Sequence, residues 1–179
     1  MPDSDRLAHE GRSGLFRPPL EKLEATQAAS SYPVAMDSES DLHLVASRVP
    51  LKGVRVLVVD DSEEACEALK AMLEAEGASV SVSSSAATAL DHVDQHLPDV
   101  MLVDIGMPVV NGFELVELLR NRPAHRGGEV PVAALTGYMS TEDRKRAVDA
   151  GFQAYLVKPV NPSELIDTVK SLARPEIRP

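Results

Sequence analysis

From residue 51 onward, apolar runs alternate with stretches of helical period. Val54 to Val59 is, but for Arg55, an apolar, β-branched-rich run, the mark of a strand buried on both faces. Ser62 is placed to cap a helix with Ala65, Leu69, Met72 and Leu73 on one face, and Gly77 stops it. Ala78 to Ser83 reads as a second strand. Ala86 to His96 reads as a second helix, closed by Pro98. Val100 to Val103 is the third strand pattern, and Gly112 to Arg120 a helix with Phe113, Val116 and Leu119 inward. Val132 to Leu135 is a fourth strand, followed by a polar helix from Thr141 to Ala150 that ends at Gly151. Ala154 to Val157 is a fifth. Pro162 opens the last helix, where proline is tolerated, and Leu165, Ile166, Val169 and Leu172 form its apolar stripe.

Five β-α units in succession imply an α/β fold, a parallel sheet with helices on both faces. Its crossovers are expected to be right-handed. In such sheets, chemistry gathers outside the carboxyl ends of the strands. Four of the five runs end on functional side chains. Asp60 and Asp61 follow the first run, Asp104 the third, Thr136 the fourth and Lys158 the fifth.

Residues 1–50 follow another pattern. Leu7, Leu15, Phe16, Leu20 and Leu23 recur without a sustained period, and Pro18-Pro19 and the polar stretch Asp37 to Asp41 break regular structure. Apart from a short helical stretch at Leu20 to Ala29, a disordered arm is the expectation, ahead of a domain at 51–174 and a short tail at 175–179.

Composition narrows the function classes. Formal net charge is −10, with −3 in residues 1–50 and −7 in the remainder, so both parts disfavour a nucleic-acid or anionic-membrane surface. Aromatics are only 3% and Trp is absent, so Val, Leu and Ala must fill the core. The single cysteine, Cys66, excludes an internal disulfide and fits a reducing compartment. No run reaches 18 apolar residues and the N-terminus lacks a secretory pattern, so a cytoplasmic location is expected. His92 and His96 stand one helical turn apart without a third ligand nearby, and are expected to be solvated.

Three carboxylates brought to one crevice repel; at an effective dielectric near 20, a pair about 4 Å apart costs on the order of 4 kcal/mol. A cation relieves this, and an oxygen-only donor set without His or Cys points to Mg²⁺. Lys158 adds one fixed positive charge, too little for three acids. With a cation present, Asp104 is placed to act as a carboxylate nucleophile toward phosphorus, giving an acyl phosphate. Lys158 followed by Pro159 suggests a fixed peptide that aims the amine, cis being common only before proline.

These residues, in this order, resemble the receiver domain of two-component response regulators. The resemblance runs from Lys52 to Ala173. It is carried by Val-Leu-Val-Val-Asp-Asp at 56–61, Asp104 with Met107-Pro108 and Gly112, Leu-Thr-Gly at 135–137 and Tyr-Leu-Val-Lys-Pro at 155–159. It implies a doubly wound, flavodoxin-like, five-stranded parallel sheet of strand order 2-1-3-4-5. It implies that Asp104 accepts a phosphoryl group from phosphohistidine on a histidine kinase or histidine phosphotransfer protein. Asp60, Asp61, Asp104 and the Gly106 backbone carbonyl would hold Mg²⁺. Thr136, Lys158 and Tyr155 would stabilise and report the phosphoryl group. A downstream protein target would be reached through helix four, strand five and helix five. No membrane or direct nucleic-acid contact is expected, and catalysis is limited to self-phosphorylation and autodephosphorylation.

Gly106 presents no side chain over the phosphoryl position, Gly137 stands where many relatives carry alanine, and Tyr138 is expected to tune phosphoryl lifetime by shielding it from water. Three alternatives differ from this pattern. A Mg²⁺-dependent aspartyl phosphatase would need a second acid at Gly106, and a non-phosphorylated pseudo-receiver would not need all five site residues. A cobalamin-binding module would need a histidine in the loop after Asp104, which is absent.

Overall fold

The structure is a computed structural model that describes residues 14–15, 50–138 and 140–173. Five parallel strands alternate with five helices: β1 (Arg55–Val59), α1 (Glu63–Ala75), β2 (Ser79–Ser83), α2 (Ala86–Gln95), β3 (Val100–Asp104), α3 (Gly112–Arg120), β4 (Val132–Thr136), α4 (Thr141–Ala150), β5 (Ala154–Val157) and α5 (Pro162–Ala173). The strands lie side by side in the order 2-1-3-4-5. A short 3₁₀ turn at Ala124–Arg126, which had no sequence signal, joins α3 toward β4.

Every residue of β3 and β4 is buried, as strands covered on both faces must be. Alternation sorts the two faces. Leu57, Val59, Met101, Val103, Val132 and Ala134 point to one core, under α2, α3 and α4. Val56, Val58, Val100, Leu102, Ala133, Leu135 and Leu156 point to the other, under α1 and α5. Burying one such side chain contributes about 1.5–3 kcal/mol, so the slab is the main source of stability. Leu51 is fully buried and its N–H reaches the Glu76 carbonyl, which ties the entry to β1 onto the end of α1.

The helix ends follow local rules. The Ser62 hydroxyl accepts from the Ala65 N–H, and Asn111 with Glu114 and Ser140 with Asp143 form reciprocal capping boxes. Gly151 ends α4 with φ 96°, and a Cβ there would lie 2.8 Å from Arg120 Nε. Glycine is required twice over, for the backbone angle and for the space. Arg120 itself is a clip. Its guanidinium donates to the carbonyls of Gly128, Val130 and Gly151, fastening α3 to the approaches of β4 and β5.

Two expected boundaries differ in a consistent way. β3 and β4 each run one residue further, to Asp104 and Thr136, so the functional residues are themselves the last rungs of the ladder. At residues 1–50 an arm was expected. Gly14–Leu15 is described there, and forms a two-residue strand antiparallel to β5, Gly14 opposite Tyr155 and Leu15 opposite Ala154. The remaining expectations for the arm and tail, including the helical stretch at Leu20 to Ala29, lie outside the described residues.

Candidate functional site

The carboxyl ends of β1, β3 and β5 meet. Asp60 directly follows β1 and is only 1% exposed, while its neighbour Asp61 turns to solvent. Asp104 is the last residue of β3 and is 8% exposed. One carboxylate oxygen from each of the three lies within 4.8 Å of the others, and among the described residues this is the one cluster of three or more metal-ligating side chains. The donors are all oxygen, which suits a hard divalent cation such as Mg²⁺.

Lys158 reaches in from the loop after β5. Its Nζ lies 2.6 Å from Asp60 Oδ2 and 3.3 Å from Asp104 Oδ1. Burial pulls the ammonium pKa down, but hydrogen bonding and charge from Asp60 and Asp104 outweigh it and hold the pKa above the ordinary lysine value. The two carboxylates therefore favour the charged form of the amine. The Lys158–Pro159 peptide is cis, in line with the expectation from sequence. Asp60 Oδ1 also accepts from the Ser62 N–H at 3.0 Å, so the first turn of α1 holds that carboxylate in place. Cys66 packs beneath, its Sγ 3.4 Å from the Asp60 carbonyl; burial, helped by the charge of Asp60, pushes its thiol pKa up, so it remains a neutral packing group.

Loop geometry around Asp104 depends on small residues. A Cβ on Gly112 would overlap the Asp104 backbone carbonyl, so only glycine lets α3 start against the end of β3. Gly106 lies beside the carboxylate, and a Cβ there would sit 3.6 Å from Asp104 Oδ2. Met107 is buried in the core cluster and anchors this loop. Val109, further along it, is fully exposed with φ 70°, a left-handed conformation that is unusual for a β-branched residue.

Thr136 lies at the end of β4, buried to 6%. Its hydroxyl donates to the Tyr138 carbonyl and accepts from the Tyr138 N–H at 3.3 Å, closing a turn on its own loop. Tyr138 meets Thr136 through backbone, while its residue surface is 74% exposed. Tyr155 sits one strand over, its residue buried, with the Arg144 guanidinium from α4 lying 5.3 Å from the ring centroid. Arg146 lies 4.3 Å from the Phe113 ring in the same way. These stacks carry no sequence signal, because α4 meets β5 and α3 only in the folded chain. His92 and His96 have ring centroids 5.5 Å apart on α2, away from the acid cluster.

A profile of the response regulator receiver domain matches residues 56–170, which is more than half of the chain. The chain belongs to the response regulator receiver family. This receiver is 44% identical over 115 residues to an uncharacterized 14.6 kDa protein of Leptolyngbya boryana, covering 64% of this chain and 86% of that one. It is 38% identical over 120 residues to the transcriptional regulatory protein PrrA of Mycobacterium leprae, covering 67% of this chain and 50% of PrrA. The chain thus spans about half the length of PrrA. Among solved structures, chemotaxis protein CheY4 of Vibrio cholerae superposes with a TM-score of 0.63 at 30% identity, covering 66% of this chain and 98% of CheY4. The strand order 2-1-3-4-5 and the family expected from the motifs both hold. Among the described residues, no helix is long and apolar enough to cross a membrane.

Proposed function

We propose that this receiver is a phosphoacceptor module of a two-component or phosphorelay system, with Asp104 as the acceptor. The observation that carries the reading is the convergence of Asp60, Asp61 and Asp104, with Lys158 bridging Asp60 and Asp104. A carboxylate oxygen of Asp104 attacks the phosphorus of a phosphohistidine. The O–P bond forms as the N–P bond breaks, and the imidazole leaves carrying the electron pair and takes up a proton. Such transfer is mainly a matter of positioning and charge stabilisation.

Asp60, Asp61, Asp104 and the Gly106 carbonyl would hold Mg²⁺. When bound, the ion offsets carboxylate charge and polarises a phosphoryl oxygen. Lys158, beside Asp104, would neutralise a phosphoryl oxygen on it. Thr136 must exchange its bond to the Tyr138 carbonyl for a phosphoryl oxygen, so phosphorylation remodels the β4–α4 loop. Tyr155 and Arg144 then carry the change to α4. Helix α4 is suited to move, since only Ala147 and Ala150 of it are buried. A downstream protein partner reads the α4–β5–α5 face. The donor is a histidine kinase or histidine phosphotransfer protein in the cytoplasm. A transcriptional output like the one named for PrrA would come from a partner or from further sequence, since the acidic balance of this chain disfavours DNA contact.

Incubation with acetyl phosphate and Mg²⁺, read by intact mass, tests the assignment. The expected result is a single phosphoryl adduct that is absent in Asp104→Asn. Absence of an adduct with acetyl phosphate and with every phosphohistidine donor tried would overturn it.

A further inference from the structure

The sheet has two edges, and they are built differently. β2, at one edge, places serine at alternate positions, Ser79, Ser81 and Ser83. β5, next to the other margin, is Ala154-Tyr155-Leu156-Val157, without a charge or a proline. An apolar edge strand without such guards is a template for pairing with another chain. The Gln153 N–H donates to the Val132 carbonyl in β4. Backbone groups alternate along a strand, so the Ala154 N–H and carbonyl point away from β4. Leu15 stands opposite Ala154 in the antiparallel register.

We propose that the N-terminal segment around Gly14–Leu15 is an intramolecular cover for the β5 edge, which any strand-adding partner or second copy must displace. The inference goes beyond the phosphoacceptor reading and stands without it. Three observations support it. The register puts Leu15 opposite the outward-facing residue of β5. The covered strand is the apolar one, whereas no strand pairs the serine-bearing edge among the described residues. The pairing is only two residues long. A contact this short is weak enough to yield to a dedicated partner. It also sits on Tyr155, the residue whose ring lies beneath Arg144, so the cover touches the same corner as α4.

The test is amide hydrogen exchange of the full-length chain, resolved at Ala154, for native protein and Leu15→Pro. Proline removes the donor that Leu15 brings to the edge. The expected result is Ala154 exchange at least tenfold faster in the variant, with the amides of β1 and β3 unchanged as a control for folding. Equal Ala154 exchange in both proteins would overturn the proposal. So would native protection that falls on dilution, since the occupant would then be a second copy. An unphosphorylated chain is used throughout, so failure of the phosphoacceptor reading would leave this result untouched.

Discussion

At the amino-terminal end of the sheet, charges are matched one to one. Arg55 donates through Nη2 to Asp99 Oδ1 at 2.9 Å, through Nε to Oδ2 at 3.2 Å, and through its backbone N–H to Oδ2 at 2.9 Å. At the carboxyl end, three carboxylates cluster and only two of them, Asp60 and Asp104, pair with the Lys158 ammonium. Both ends use acids and bases on strand termini. The first arrangement satisfies itself and closes the start of β1 against the start of β3. The second carries an excess of negative charge over the one ammonium beside it. The difference separates a matched pair from a cluster whose charge is left over.

The strongest way to affect both ends alike is to weaken the slab between them. Leu102→Ala, at a fully buried position of β3, is expected to cost about 2–5 kcal/mol in denaturant unfolding. A smaller loss would mean that the core closes around the gap. Mg²⁺ should then act on one end only. At a hundred times its dissociation constant it is expected to raise stability by about 2.7 kcal/mol in the parent. Asp61→Asn should lose most of that gain, and an equal gain in both proteins would place the ion elsewhere.

Tyr138→Ala probes the loop at the carboxyl end. It is expected to speed loss of the phosphoryl group several-fold, on the order of 1 kcal/mol in barrier height. An unchanged dephosphorylation rate would remove Tyr138 from the site. Asp104→Asn separates function from stability. Removing one of three crowded charges also removes a contact with Lys158, so the thermal unfolding midpoint should stay level or rise while phosphoryl uptake vanishes. A large drop would show that the acid cluster is structural.

The smallest effect belongs to the matched end. The hydrogen bond from Arg55, above all, holds the Asp99 pKa below the ordinary carboxylate value, against partial burial. A depressed folded pKa contributes stability above the unfolded pKa of about 3.9, and that contribution is lost as pH falls through the folded value. The pair is partly exposed, so Asp99→Asn should cost under about 1 kcal/mol at neutral pH, shrinking with salt. The acid limb of the stability curve below about pH 4 should flatten in this variant. An unchanged acid limb would show that Asp99 does not contribute.

Much of this was legible before folding. Strands buried on both faces leave apolar runs; Val100 to Val103 carried that signal throughout, and the run Val54 to Val59 carried it from Val56 on, Arg55 being exposed. Asp60, Asp61, Asp104, Thr136 and Lys158 were legible because each follows such a run, and parallel strands bring their carboxyl ends to one side of the sheet. The side-chain pairings were not. That Lys158 lies closer to Asp60 than to Asp104, and that Thr136 turns onto the Tyr138 carbonyl, depends on loop paths that no period encodes. Arg120 reads as the polar end of an amphipathic helix, yet it binds three carbonyls across two loops. Gly14–Leu15 carries no strand pattern, because two residues cannot show a period; its signal is the unguarded edge it covers.

By itself, the order of residues determined the number and sequence of β-α units, which side chains end the strands, and the family. These are local properties, set by period, capping and short motifs. Only the tertiary structure decided that Asp60 is buried while Asp61 faces water, that Gly112 must be glycine for α3 to meet β3, that Arg144 stacks on Tyr155, and that β5 is the edge with a cover. Each depends on the distance between segments far apart in the chain, and that distance exists only once the sheet has brought them together.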